Sequence, residues 1–345
     1  MKRFTFLIIL FILALPACGS KGPITLTVMT HDSFAASESV ISAFEQANAV
    51  KVVFLKSGDA GAALNKAILT KDAPLADVFY GVDNTFLSRA LNAGIYLPYA
   101  SPLLAQIPRE FKLDPEARAL PVDYGDVCIN YDKAYFSAHN LPVPGTLEEL
   151  AKPEYRGLLV VENPATSSPG LAFLLATIKH FGSAGYLDYW KSLRANGVVV
   201  VDGWETAYYT NFSGSSGHGS QPMVVSYASS PAAEVVFASA PLTDAPTASI
   251  LNSGTCFRQI EYVGILKGTR QLSLARRFVD FMLGQQFQED MPLQMYVYPV
   301  NPAASLPEVF LKYAQIPDQP AVLGPADIAA GRDQWVQDWT QAVLH

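Results

Sequence analysis

Charge is scarce in this sequence, and basic charge scarcer still. Asp, Glu, Lys and Arg make up 16% of the 345 residues, and 31 acids against 24 bases leave a net charge of −7. Nucleic-acid binding, which asks for a basic stripe, is excluded as a reading. Only three cysteines occur, at 18, 128 and 256, too few for a disulfide-dense scaffold. The five histidines, at 31, 139, 180, 218 and 345, are scattered and share no zinc-ligand spacing with them. Repeats and low-complexity blocks are absent, and beyond residue 15 no apolar run reaches transmembrane length. Ser167-Ser168 and Ser229-Ser230 lack a G-x-S-x-G setting, and no His stands in a motif with a partner acid, which argues against a hydrolase.

What is present begins with an export segment. Lys2 and Arg3 precede the apolar run Phe4 to Leu15, which is too short to span a bilayer, and Leu15-Pro16-Ala17-Cys18 closes it. Residues 1–17 therefore read as a signal peptide whose cleavage site is similar to the bacterial lipobox, with Cys18 as the lipid-modified first mature residue. The alternatives are an ordinary signal peptide with an incidental Cys, or an uncleaved anchor. Residues 18–23 follow as a polar tether. In an oxidising compartment Cys128 and Cys256 can pair. Each sits in a strand-like run of its own, however, and two separate buried thiols are expected.

The mature chain opens as an α/β series. Strands are expected at Ile24 to Met29, Val50 to Leu55 and Asp77 to Tyr80. Helices are expected after Ser39 as the cap, over Ala62 to Leu69, and through Phe86, Leu87, Ala90 and Leu91. Each strand hands over to its helix through Gly, Ser, Asp or Asn, the pattern of a parallel sheet with helices on both faces. A Pro-rich irregular segment leads to a strand at Asp126 to Tyr131, and a second series starts at Thr146. Its strand Gly157 to Val161 passes through Asn163 to Gly170 into an apolar helix, Leu171 to His180. Ser167 and Ser168 at that helix start form an anion site by the dipole argument, or serve only as caps. A strand over Gly254 to Leu266 returns across the molecule, and the C-terminus is an amphipathic packing helix. Two series with late returning strands imply two lobes, joined by crossings near Asp123–Tyr131 and Gly254–Tyr262, with a ligand cleft between them and hinge closure as the motion.

One stretch, Val198 to Pro231, concentrates the chemistry. Four valines end at Asp202-Gly203, then Trp204-Glu205-Thr206-Ala207-Tyr208-Tyr209 follows. A second apolar run ends at Tyr227 and breaks at Ser229-Ser230-Pro231. Strand, aromatic turn, strand and small polar loop build a cleft at strand ends, where Trp204, Tyr208 and Tyr227 offer flat faces to a ring; alternatively they are packing aromatics.

These motifs, in this order, resemble the substrate-binding proteins of bacterial ABC transporters, and among them the periplasmic thiamine-binding proteins. The resemblance rests on Asp32-Ser33-Phe34-Ala35-Ala36, Ala76-Asp77-Val78 with Gly81-Val82-Asp83-Asn84, Asp123-Tyr124-Gly125 and Thr166-Ser167-Ser168-Pro169-Gly170-Leu171. It continues through Gly203-Trp204-Glu205-Thr206-Ala207-Tyr208, Val225-Ser226-Tyr227 and Tyr298-Pro299-Val300, and spans nearly the whole mature chain. It implies a two-lobe, type II periplasmic-binding-protein fold. Lobe 1 would hold residues 24–123 and 258–300, and lobe 2 residues 124–257 and 301–345. The protein would be a monomer without cofactor, tethered to a membrane by lipid alone, that binds thiamine or a phosphate ester and delivers it to an ABC permease and its ATPase. Trp204 would face the cation with Tyr208 beside it, and Tyr227, Ser229 and Ser230 would line the same lobe. Ser167 and Ser168 would meet the hydroxyl or phosphate end, and Asp59 and Gly61 would approach from lobe 1. His31 stands where the family carries Tyr, and Tyr296 where it usually shows Trp. Independently, a thiazolium suits an aromatic face, and an aminopyrimidine edge suits Asp83, Asn84 or Asp32. Ser33 belongs to the same ligand-facing loop. Other cationic solutes such as polyamines, or ferric ion held by Tyr208-Tyr209, are alternatives on this scaffold; adjacent helical tyrosines point about 100° apart, which disfavours the iron reading.

Overall fold

The computed structural model describes residues 24–214 and 219–345. The signal peptide, Cys18, the tether and His218 lie outside the described residues. The first α/β series comprises β1 (Ile24–Thr30), α1 (Glu38–Asn48), β2 (Val50–Lys56), α2 (Ala60–Leu69), β3 (Val78–Asp83) and α3 (Leu87–Ala93), followed by β4 (Tyr96–Leu97) and the long β5 (Leu120–Asp132). The second comprises α4 (Lys133–Ala138), α5 (Leu147–Leu150), β6 (Leu159–Glu162), α6 (Ser168–Ala195), β7 (Val199–Val201), β8 (Met223–Tyr227), α7 (Ser230–Val236) and β9 (Thr247–Ile250). The chain closes with β10 (Phe257–Leu266), α8 (Leu272–Leu283), α9 (Gln285–Gln294), β11 (Tyr298–Pro299), α10 (Glu308–Tyr313) and α11 (Pro325–Val343).

Local sequence explains most of these elements. All six residues of β3 are buried, as a strand covered on both faces requires. In α1 the buried Ile41 and Phe44 sit three apart on one face. Ser37, not Ser39, takes its N-cap position; the Ser37 hydroxyl and N–H both bond the Asp290 carboxylate in α9, which ties the loop after β1 to the late part of the chain. The helix expected to stop at His180 continues to Ala195 across a break at Gly182, whose φ of +72° suits glycine. That continuation carries Trp190, which donates to Thr177 and packs edge-on to Trp339 of α11 with ring centres 5.4 Å apart.

The sheet order is β2-β1-β3-β10-β5-β8-β6-β7. β1 pairs in parallel with β2 and β3, and β6 in parallel with β7 and β8. β10 is antiparallel to both β3 and β5, and β5 is antiparallel to β8, so the sheet is parallel within the first series, as expected there, and mixed where β5 and β10 enter it. The returning strands cause the difference: they re-enter the sheet without a crossover helix of their own, so they run against their neighbours. The first half of β5 pairs with β10, while its end, Val127 to Tyr131, pairs with β8. One 13-residue strand thus belongs to both ends of the sheet. Among the described residues no helix is long and apolar enough to cross a membrane.

Register also corrects the cysteine reading. Val127 faces Phe257, so Cys128 and Cys256 stand opposite one another, and they form a disulfide across 128 residues of chain. Both are fully buried between the two central strands. A cross-link closing so long a loop typically stabilises a domain by about 2–5 kcal/mol. Reduction, or the double variant Cys128→Ala/Cys256→Ala, should lower unfolding stability by that amount in denaturant titration; an unchanged midpoint would show that the two sulfurs do not cross-link the folded chain.

Candidate functional site

A cavity of about 240 Å³ opens where the loop after β1 and the start of α2 face the starts of α6 and α7. The turn after β7 and the segment between α9 and β11 complete its walls. One wall is aromatic. Trp204 stacks on Tyr208 at 5.0 Å and 18°, and Tyr209 meets it edge-on at 5.5 Å. The Trp204 indole N–H donates to Ser226 Oγ at 2.9 Å, and Ser226 contacts Ser230, so the ring is pinned from behind. Tyr227 donates to Gln259 at 2.7 Å. Thr206–Asn211 forms a π-helical turn. Although Tyr208 is buried and Tyr209 is 45% exposed, both line the cavity. π-Helical turns concentrate at functional sites.

The Tyr208 hydroxyl donates to Glu234 at 2.7 Å. Burial, and then the charge of Glu234, push the phenol well above its ordinary value of 10. A phenolate for ferric ion is therefore costly here, and among the described residues no group of three or more His, Cys, Asp or Glu is placed to hold a metal.

The floor is polar. His31 Nε2 lies 3.3 Å from Glu261 Oε1, and the Tyr80 hydroxyl is shared between Asp123, at 2.6 Å, and Glu261, at 3.0 Å. Glu261 and Asp123 are direct cross-strand partners, an arrangement two carboxylates resist. The conflict resolves by proton placement. Burial, and then Glu261, push the Asp123 carboxyl well up, towards its protonated form. Burial also raises Glu261, but His31 and the surrounding hydrogen bonds outweigh it and hold that carboxyl below its ordinary range. Burial pulls His31 down, and Glu261, with the charges of Asp59 and Asp32 behind it, more than reverses this. Gly81 makes the room: at φ +104°, a Cβ there would collide with the His31 ring.

Two hydrogen bonds join the walls. Asp59 caps α2 through Ala60 N–H at 2.6 Å and accepts from Trp204 N–H at 3.0 Å. Gly61 N–H donates to Thr166 O at 3.0 Å, and a Cβ on Gly61 would lie 2.7 Å from that oxygen. Burial pushes the Asp59 carboxyl up, against these donors.

Of the residues singled out from sequence, His31, Ser33, Asp59, Ser168, Trp204, Tyr208, Tyr227 and Tyr296 line the cavity. Tyr296 holds a left-handed backbone, φ +54°, with its ring 5.5 Å from Phe237. The others stand behind it. Asp32 accepts from Gly58 N–H at 2.8 Å and faces an adjoining cavity at the mouth. Asp83 holds the turn into α3 through Thr85 and Phe86 and accepts from Gln259; burial pushes it to about 7. Ser167 is buried at the α6 N-cap, and Ser229 donates to the Tyr296 carbonyl. Gly61 packs on Thr166 outside the cavity. Ser230, expected in the same lobe, and Tyr209, weighed as an iron ligand, line it too, while the lining residues not singled out include Phe237, Glu261, Gln294 and Met295. Glu261 had a legible signal, an acid inside the apolar run Ile260 to Leu266. Met295 and Gln294 had none, since they arrive from a helix end remote in sequence.

Two α/β halves, joined by shared strands and enclosing a cavity, define a two-lobed solute receptor. The comparisons agree. Residues 73–319 match the profile of the "Bacterial extracellular solute-binding protein" family. The chain is 30% identical to the thiamine-binding periplasmic protein of Brucella suis, over 99% of this chain and 98% of that one. It is also 30% identical to the protein of that name from Salmonella typhimurium, over 98% of each. A solved "periplasmic thiamin binding protein" superposes with a TM-score of 0.82 at 28% identity, covering 94% of this chain and 98% of the other. The chain belongs to the family of bacterial extracellular solute-binding proteins.

The His31–Glu261 pair has a defined pH window. A raised His31 contributes stability that is full below its ordinary 6.5 and is lost as pH climbs through the raised value. A lowered Glu261 contributes above its ordinary 4.5 and loses this as pH falls through the lowered value. The His31 imidazole, followed by NMR, should titrate above 6.5, and Glu261→Gln should lower it, because the strongest of the charges opposing desolvation is gone and only Asp59 and Asp32 are left to raise it. A midpoint indifferent to that substitution would remove Glu261 as its partner.

Proposed function

We propose that this chain is the extracytoplasmic receptor of an ABC importer and that it carries thiamine. The observation that carries the reading is the Trp204–Tyr208 stack, which presents an aromatic face inside an enclosed cavity whose acids are Asp59 and Glu261. A permanent thiazolium cation gains about 0.5–2 kcal/mol from such a face when desolvated, and carboxylates supply the counter-charge. The aminopyrimidine is a flat ring with donor and acceptor edges, and Ser33, Ser168, Tyr227 and Tyr296 offer it hydroxyls. The names of the full-length relatives point the same way. A ligand so enclosed reaches nanomolar affinity, about −12 kcal/mol, if closure costs little.

In this reading residues 24–123 and 258–300 form lobe 1, residues 124–257 and 301–345 form lobe 2, and β5 and β10 are the hinge. His31, Asp32, Asp59, Gly61, Asp83 and Ser229 act on the ligand directly or by holding the groups that do. The protein works as a monomer outside the cytoplasm, held to a membrane by lipid on Cys18, and performs no catalysis.

Trp204→Ala should weaken thiamine binding at least about tenfold in calorimetric titration, through loss of the cation face; unchanged affinity would take Trp204 out of the site. Spermidine titrated alongside should give no heat, and heat from spermidine alone would move the assignment to a polyamine. Cys18→Ser should release the chain from the membrane fraction once its mature N-terminus is verified, and retention of the cleaved variant there would dismiss the lipid anchor.

A further inference from the structure

One side of α7 faces the cavity. Ser230, Ala233, Glu234 and Phe237, the last at the C-cap, recur at three- and four-residue spacing and so share that side. Two of them support the aromatic wall: Ser230 contacts Ser226, which holds the Trp204 indole, and Glu234 accepts from the Tyr208 hydroxyl. The other two, Ala233 and Phe237, line the cavity itself. Ala233, one turn before Phe237, contributes only a methyl there. Behind the helix Ala232 is buried in a cluster with Tyr298 and Phe310. α7 is therefore held from both sides, and its position fixes where Phe237 stands.

Folding makes little use of the Phe237 ring. The residue is 69% exposed, more than any other aromatic residue of the cavity, Tyr209 at 45% being next. Among the described residues its ring meets one other, that of Tyr296, at 5.5 Å and 60°. Tyr209 is an electrostatic neighbour of Tyr296 and meets Trp204 edge-on. Four rings thus follow one another along the cavity: Trp204, Tyr209, Tyr296 and Phe237. Tyr296 bears two further marks of a binding position. Its left-handed backbone, φ +54°, is costly for a tyrosine, and its hydroxyl is buried without a hydrogen-bond partner. The Ser229 hydroxyl, at the N-cap of α7, holds the Tyr296 carbonyl, which keeps this backbone and the helix together. Single apolar residues on a protein surface are ordinary. Phe237 differs in lining a cavity at the end of a run of rings, where a solute would take its exposed face out of water.

We propose that Phe237 is a specificity-determining contact: with Tyr296 it forms a second aromatic wall, and its ring covers a flat solute seated against Trp204. This deepens the thiamine assignment and rests on it. The apolar area involved leaves water only when the solute is present, so the contact strengthens binding and adds almost nothing to folding. A solute with aromatic rings fills the space between two such walls, whereas a flexible aliphatic amine leaves much of the Phe237 face wet.

The mature chain and its Phe237→Ala, Phe237→Leu and Phe237→Tyr variants are compared by calorimetric and stopped-flow titration with thiamine, and by thermal unfolding without it. Phe237→Ala should weaken binding about tenfold, mostly through faster dissociation. Phe237→Tyr should stay within about threefold of the parent, with Phe237→Leu between the two. Ligand-free unfolding should be the same for Phe237→Ala and the parent, because the ring is mostly in water already. Hydroxyl-radical footprinting should label Phe237 in the free chain and find it protected once thiamine is bound. Binding by Phe237→Ala within about twofold of the parent, or labelling indifferent to thiamine, would overturn the inference and leave the thiamine assignment standing. Loss of affinity matched by loss of ligand-free stability would make Phe237 a packing residue and overturn it too. No thiamine binding by the parent chain, folded by circular dichroism, would overturn the assignment and this inference together.

Discussion

Two antiparallel strands, β5 and β10, run through the middle of the molecule, and the register between them decides most of what surrounds them. It sets Cys128 against Cys256 and, a few residues along, Asp123 against Glu261. The first coincidence staples the strands. The second is a repulsion that must be relieved, and Tyr80, His31 and the upward shift of the Asp123 carboxyl relieve it. A slip of one residue would turn both pairs to the wrong faces of the sheet. The cross-link and the polar floor of the cavity therefore share one cause. Burying an acid at the base of a cleft is expensive unless its partners are fixed, and these strands fix them.

The aromatic wall is built by a different device. Trp204 is held by Ser226 behind, Tyr208 beneath and Tyr209 at the edge, so its orientation is set before any solute arrives. Rigid aromatic faces lose little entropy on binding, and an indole locked in one rotamer loses less still. Asp59 then ties this wall to the opposite one through the Trp204 N–H. The same residue that presents the face also reports whether the two halves have met.

Much of this was legible in the residues. The alternation of β1 and β2, the 3-4 spacing in α1 and the punctuation by Gly, Ser and Asp placed the elements of the first series to within a few residues. The crossings near Asp123–Tyr131 and Gly254–Tyr262 coincide with β5 and β10. The cap at Ser37 was missed because Ser39 satisfies the same local rule, and only the Asp290 contact, 253 residues away, distinguishes them. The disulfide and the Asp123–Glu261 pairing were hidden for a related reason: strand patterns identify strands, while their mutual register is a tertiary fact. The tyrosine pair was judged on α-helical geometry, and the π-helical turn that lets both line the cavity leaves no periodic signature in six residues. Asp83 and Ser167 stand behind the cavity wall and hold the starts of helices, and capping and ligation favour the same side chains, so the two roles cannot be separated in the sequence.

The central strand of this sheet is also among the last to be made. β10 lies between β3 and β5, so the first half of the chain has no complete sheet until residues 257–266 have been synthesised. Contacts that span so much chain raise the contact order and slow folding. A nascent chain of this topology stays open until nearly all of it is available, the condition in which a polypeptide can still be threaded through a narrow translocation channel.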